Sequence, residues 1–235
     1  MKMELKKKIV WLTIFSIAMG FMETVIVVYL RKLYYPNGFN FPLVEMDLDI
    51  LKAEFLREAA TIVMLFAIGI LTGKTAAEKF AYFIFCFAIW DLFYYVFLKV
   101  LLDWPESLFT WDILFLIPLP WIGPVLAPCI VSLTMIVLAM GIVCLQENGR
   151  AVVIQKSDWA LFSLGSIIVI FSFMINLFQN DTHSPTLVTS GINAPAEYNW
   201  LLFWMGEAII IMCMIKFFKK NRNEHRLEVL SKQAA

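Results

Sequence analysis

The sequence has few of the residues from which metal, redox and nucleophilic sites are usually built. Its 235 residues include two histidines and four cysteines, and no two cysteines form a CxxC pair. His183 lies in a polar stretch and His225 near the C-terminus, which excludes a histidine-based zinc, haem or triad site within the membrane. The cysteines fall in apolar runs, where we expect small buried side chains rather than disulfides. No glycine-rich phosphate-binding motif is present and the acids are scattered, so we expect neither a metal ion nor a cofactor.

Charge is also scarce, and this decides the class of protein. Charged residues make up 16% of the chain, against about 25% in soluble domains. Hydrophobic residues make up 61%, and the mean hydropathy is +0.77. The formal net charge is zero, which gives no reason to expect a nucleic-acid partner. The composition therefore predicts an integral membrane protein, and membrane lipid is its expected partner.

Six apolar runs approach the ~20 residues that a helix needs to cross a bilayer. Because a helix satisfies its own backbone hydrogen bonds, we predict an all-α, polytopic helical bundle that forms one transmembrane domain over residues 1–235. The predicted spans are near residues 9–30, 55–73, 80–102, 125–146, 159–178 and 199–218.

The basic residues predict the orientation of the bundle. Most of the 19 lysines and arginines fall on the side that carries both chain ends. The positive-inside rule then places the N- and C-termini in the cytoplasm, with residues 219–235 as a basic cytoplasmic tail. We expect a multi-pass protein of a cell inner membrane or plasma membrane.

A proline-rich stretch over residues 103–128 departs from the helical pattern. Pro118, Pro120 and Pro124 cannot share one regular helix, because each lacks a backbone donor and clashes with the preceding turn. The residues between them are nevertheless apolar. Irregular backbone at membrane depth needs a protein or water-filled cover, so we predict an interfacial or re-entrant segment on the outer side. A plain interfacial loop anchored by tryptophans is the alternative.

Six charged residues lie at mid-membrane depth or in the outer half of the predicted spans, where charge is costly and by default marks a functional site. Asp91, Tyr95 and Lys99 recur every four residues and share one helix face, and Trp121 belongs to the proline-rich cover. Four acids face two bases, so protons, a cation or a basic ligand group must balance the charge. The candidate site residues are Glu23, Arg57, Glu58, Asp91, Tyr95, Lys99, Trp121 and Glu207.

These residues support several hypotheses. The first is an outward-facing polar site that binds or transports a small or lipid-like molecule. The second is a membrane-embedded enzyme acting on a lipid or isoprenoid, with Asp91 as general acid or base and Arg57 or Lys99 on an anionic headgroup. The third is an accessory or assembly subunit that docks through the proline-rich stretch and residues 179–199. The charges could instead form a purely structural ion network.

Overall fold

The computed structural model describes residues 3–148, 152–179 and 197–233. Within these ranges the chain forms six long helices and one short β-hairpin between the third and fourth helices. The helices are α1 (Met3–Tyr34), α2 (Leu48–Thr72), α3 (Ala76–Leu102), α4 (Leu126–Glu147), α5 (Lys156–Gln179) and α6 (Trp200–Gln233). The strands are β1 (Trp111–Phe115) and β2 (Trp121–Pro124).

The prediction of a helical bundle with six helices of membrane-spanning length is confirmed. All six helices are long and apolar enough to cross a membrane. The helix ends differ from the predicted ends where capping or propensity extends them. Helix α2 begins at Leu48 because the Asp47 side chain accepts hydrogen bonds from the first free amides. Helix α6 continues to Gln233, since residues 219–233 contain no glycine or proline to end it.

Helix α3 packs against α1, α2 and α4. It runs parallel to α1, since Lys8 lies over the ring of Tyr82 and Thr24 donates to the carbonyl of Tyr94. Lys8 near the start of α1 donates to the carbonyl of Thr72 at the end of α2. Close approach at Gly69 tightens the α2–α3 contact, because a Cβ there would lie 2.6 Å from the Lys79 carbonyl oxygen. Helices α5 and α6 form a second tightly packed pair. The end of the bundle that carries β1 and β2 is called the hairpin end below.

The proline-rich stretch forms a β-hairpin, which the sequence did not predict. Strands β1 and β2 pair antiparallel, with Ile113 opposite Ile122, and an irregularity follows Ile113. Pro118 and Pro120 lie in the connection between the strands. The ladder satisfies backbone groups that the prolines would leave unpaired in a helix. Ile122 is fully buried, so β2 packs into the bundle rather than lying loosely on its surface.

Candidate functional site

A cavity of about 120 Å³ lies at the hairpin end, between α1, α2, α3 and β1. The segment after α1 completes its wall with aromatic and apolar side chains, and Trp90 and Tyr94 contribute from α3. Seven charged residues line it. They are Glu23, Arg31, Glu54, Arg57, Glu58, Asp91 and Asp112.

Arg57 connects two acids at one side of the cavity. Its Nη1 donates to Glu23 on α1, and its Nε and Nη2 each lie 2.9 Å from Oε2 of Glu54, one turn earlier on α2. All three side chains are largely buried, so these hydrogen bonds replace water that the charges have lost. The arrangement cross-links α1 to α2 and commits the Arg57 guanidinium to two carboxylates.

Glu58 and Asp91 accept hydrogen bonds from neutral donors. The backbone amide of Leu116, just after β1, donates to Glu58 Oε2 at 2.8 Å. The Ser132 hydroxyl on α4 donates to Asp91 Oδ2, also at 2.8 Å. The first bond holds the hairpin against α2, and the second holds α3 against α4. Among the described residues, no lysine or arginine nitrogen lies within ion-pair distance of either carboxylate.

A second ion pair forms the other side of the cavity. Nη2 of Arg31 lies 3.0 Å from Oδ1 of Asp112, and the guanidinium carbon lies 4.5 Å and 3.6 Å from the ring centres of Phe39 and Trp104. Both side chains of the pair are buried, and Asp112 is only 2% exposed. Within the described chain, Nη1 of Arg31 and Oδ2 of Asp112 have no hydrogen-bond partner. A buried polar atom without a partner is costly, and Asp112 recovers part of that cost because its carboxylate also interacts with the Tyr95 hydroxyl and the Ile113 amide.

Burial sets the protonation of Asp112. It raises the pKa of the Asp112 carboxyl from an ordinary value of 3.8 to about 6, although the Arg31 charge lowers it. Asp112 therefore changes charge close to neutral pH. A group that titrates in this range can take up or release a proton as a ligand binds.

The charges of the cavity do not balance. Five carboxylates face two guanidiniums, a formal excess of three negative charges if all are ionised. Both guanidiniums already contact carboxylates. The cavity therefore favours a positive charge, supplied by protons or by a cationic ligand.

The structure brings four of the predicted site residues together at this cavity, namely Glu23, Arg57, Glu58 and Asp91. Lys99 is not among the lining residues. Its Nζ lies 2.7 Å from Asp103 Oδ1 and also donates to backbone carbonyls that follow α3. The long lysine side chain thus reaches the end of the helix instead of the cavity.

Tyr95 and Trp121 also lie outside the cavity lining. Tyr95 is buried in a small cluster with Leu98 and Val125. Trp121 stacks on Phe173 of α5, with the ring planes 13° apart. Residues 113–116 of the hairpin line the cavity, whereas Trp121, which we expected in the cover over it, does not.

Glu207 belongs to a different polar pair. It is fully buried on α6, and its Oε2 accepts a hydrogen bond from Thr134 at 3.1 Å. Thr134 is two residues after Ser132 on α4, a rotation of about 200° around the helix. Helix α4 therefore separates Glu207 from Asp91, and Glu207 does not line the cavity.

Three charged lining residues were not among the predicted ones: Arg31, Glu54 and Asp112. Two of them could have been found from helical spacing. Arg31 lies eight residues after Glu23, and Glu54 lies one turn before Arg57, so each shares a helix face with a predicted site residue. Asp112 could not have been found in this way, because its position depends on a strand pairing that the local sequence does not reveal.

No group of three or more histidine, cysteine, aspartate and glutamate side chains in residues 3–148, 152–179 and 197–233 is arranged to hold a metal ion. The chain matches no protein-family model, no curated protein and no solved structure.

Proposed function

We propose that this is an integral membrane protein that binds a small, positively charged molecule in the cavity at the hairpin end, for transport or sensing. The observation that carries the proposal is the excess of carboxylates in a half-open cavity whose two guanidiniums are already paired. Charged groups within a membrane bundle are retained mainly where they handle a ligand, an ion or a proton.

The proposed cavity opens toward the outer side of the membrane. The positive-inside rule supports this orientation, because the basic residues are concentrated at the opposite end of the bundle. They lie in the first residues of α1, ahead of its apolar run, and after residue 215. Tryptophans at positions 104 and 111 of the proline-rich stretch would then lie near the outer interface, as tryptophans commonly do. The hairpin would serve as an interfacial cover over the cavity.

An ammonium group suits the lining better than an anion does. Carboxylates accept its hydrogen bonds, and Tyr34, Tyr94 and Trp90 offer aromatic rings nearby. Arg31 already illustrates a cation held between the rings of Phe39 and Trp104.

The contacts of Arg57 weigh against the enzymatic alternative. An enzyme acting on an anionic lipid would need a cation free to bind the headgroup, whereas Arg57 contacts Glu23 and Glu54 and Lys99 contacts Asp103. The accessory-subunit hypothesis relied partly on residues 179–199, and residues 180–196 lie outside the described part of the chain. Ligand binding is therefore the function that the cavity supports best.

Binding of simple probes to the full chain in phosphatidylcholine nanodiscs tests the proposal. We expect saturation-transfer NMR to detect butylamine binding and to detect no binding of butyrate, which has a similar size and the opposite charge. Glu58→Gln keeps an acceptor for the Leu116 amide but removes a charge, so it should weaken butylamine binding about tenfold. The control is Asp49→Asn, whose carboxyl is 92% exposed and lies outside the cavity. Equal binding of butyrate, or no effect of Glu58→Gln, would refute the proposal.

A further inference from the structure

A second cavity, the apolar groove, lies beside the polar one. It has a volume of about 530 Å³ and is lined by Leu48, Leu51 and Phe55 of α2 and by Leu116, Pro118 and Pro120 of the hairpin. An engineered apolar cavity of about 150 Å³ holds benzene, so this groove has room for several methylene groups of an alkyl chain. Its lining is almost wholly hydrocarbon, which suits such a chain.

The apolar groove and the polar cavity meet at one residue. Leu116 lines both, and its backbone amide donates to Glu58, which lines the polar cavity. Helix α2 forms a wall of each, presenting Arg57 and Glu58 to the polar side and Phe55 to the apolar side. A single extended molecule that passes Leu116 would place one end in each cavity.

The groove is accessible from the surface that would face lipid. Leu56, another of its lining residues, lies within the predicted span near 55–73 and is 68% exposed. Exposed leucines on a membrane-spanning helix contact lipid chains, so an alkyl chain can enter sideways from the membrane without crossing water.

The charges decide which headgroup the chain carries. Among the described residues, Lys52 is the one charged side chain that lines the groove, and its Nζ lies 3.3 Å from the carboxylate of Asp49. The polar cavity has an excess of carboxylates, and both of its guanidiniums are paired. A phosphate or carboxylate head would meet net repulsion there, whereas an ammonium head would be attracted.

We propose that the ligand is a single-chain amphiphile with an ammonium head, which lies in the polar cavity while its alkyl chain occupies the apolar groove. This inference rests on the proposed function, and it adds that the ligand comes from the membrane. Chain length is then a determinant of affinity through packing contacts in the groove, because the chain exchanges bilayer hydrocarbon for the closer-packed side chains of the lining.

The test compares two amines on the full chain in phosphatidylcholine nanodiscs. The probes are dodecylamine, which has head and chain, and butylamine, which has the head with a short chain. Leu51→Trp fills the groove, and Leu71→Trp places the same side chain at an 81% exposed position of α2 that lines neither cavity. Comparing variants in one lipid cancels the partitioning of dodecylamine into the bilayer.

We expect Leu51→Trp to weaken dodecylamine binding by roughly tenfold or more, because the indole takes the space of the alkyl chain, and to leave butylamine binding unchanged. Leu71→Trp should leave both unchanged. Phe55→Ala removes groove contacts without adding bulk, so it should weaken the binding of dodecylamine and leave that of butylamine unchanged. It provides a second test in case Leu51→Trp does not fold.

Each other outcome overturns a defined part of the reasoning. If both amines bind and neither Leu51→Trp nor Phe55→Ala affects dodecylamine, the amphiphile proposal is wrong while the proposed cation site stands. Tighter binding of dodecanoate than of dodecylamine would overturn the ammonium head. If neither amine binds, the proposed function fails together with this inference.

Discussion

Replacing Arg57 by methionine should destabilise the protein strongly at neutral pH. The substitution keeps much of the side-chain length but removes the cation that contacts both Glu23 and Glu54. Two largely buried carboxylates would then face each other without a countercharge. Removing one partner of a buried ion pair costs about 3–5 kcal/mol, because the remaining charge has lost its water.

Proton uptake limits this cost and makes it depend on pH. A carboxyl with the ordinary glutamate pKa of about 4.3 needs about 3.7 kcal/mol to bind a proton at pH 7, and about 1 kcal/mol at pH 5. The two carboxylates that Arg57 leaves can each use this route. We therefore expect a loss of about 3–5 kcal/mol in the free energy of unfolding at pH 7 that falls to about 1–2 kcal/mol at pH 5.

Denaturant unfolding in mild detergent, followed by circular dichroism, measures this loss. The control is Lys52→Met on the same helix, which breaks an ion pair with Asp49 whose two side chains are 72% and 92% exposed. An exposed pair is worth about 0–1 kcal/mol, so the control should change little at either pH. The double variant Glu23→Gln, Arg57→Met should recover part of the loss. Equal small losses for Arg57→Met and Lys52→Met would refute the view of Arg57 as a buried bridge.

Other perturbations test other parts of the structure. Because the pKa of Asp112 is about 6, butylamine affinity measured by NMR should rise about tenfold between pH 5 and pH 7 as the carboxyl ionises, and Asp112→Asn should flatten this rise. The same raised pKa means that the folded state binds this proton more tightly than the unfolded chain does, so the contribution of Asp112 to the free energy of unfolding is largest below its ordinary value of 3.8 and decreases as pH rises through about 6. Gly206→Ala should lower the free energy of unfolding by about 1–3 kcal/mol, since its Cβ would lie 2.8 Å from the Gly165 carbonyl oxygen between α5 and α6. Glu207→Gln should raise that free energy at pH 8 by about 1 kcal/mol, because Oε1 of Glu207 is buried without a partner among the described residues, and it should leave butylamine binding unchanged.

The helices could be predicted from the sequence because the signal is local. A run of apolar residues long enough to cross a bilayer identifies each span, and the observed helices coincide with the predicted spans apart from extensions at their ends. The hairpin is different, because proline excludes a helix without specifying what replaces it. Pairing of Ile113 with Ile122 depends on contacts across the turn and against α5, which local pattern does not reveal.

The candidate site was predictable in part for the same reason. Depth along a helix and helix face identified Glu23, Arg57, Glu58 and Asp91. The partner of Arg31 could not be found this way, since Asp112 is 81 residues distant in sequence. A sequence gives the depth of a charge and the face it shares with its neighbours, but not which helix that face meets.

Glu207 illustrates this limit. Its depth suggested one site shared by four helices, but α4 directs Ser132 toward Asp91 and Thr134 toward Glu207, on different sides of the same helix. The polar cavity is therefore built on α1, α2, α3 and β1, and the hairpin connects it to the α5–α6 pair. Gly123 of β2 packs against Phe173 of α5 so closely that a Cβ would lie 2.9 Å from the ring, while Asp112, paired with Gly123 in register, lines the cavity. A displacement of α5 that keeps this contact would move β2 and Asp112 with it, which gives the cavity a link to α5 beside the Ser132–Asp91 hydrogen bond that links it to α4.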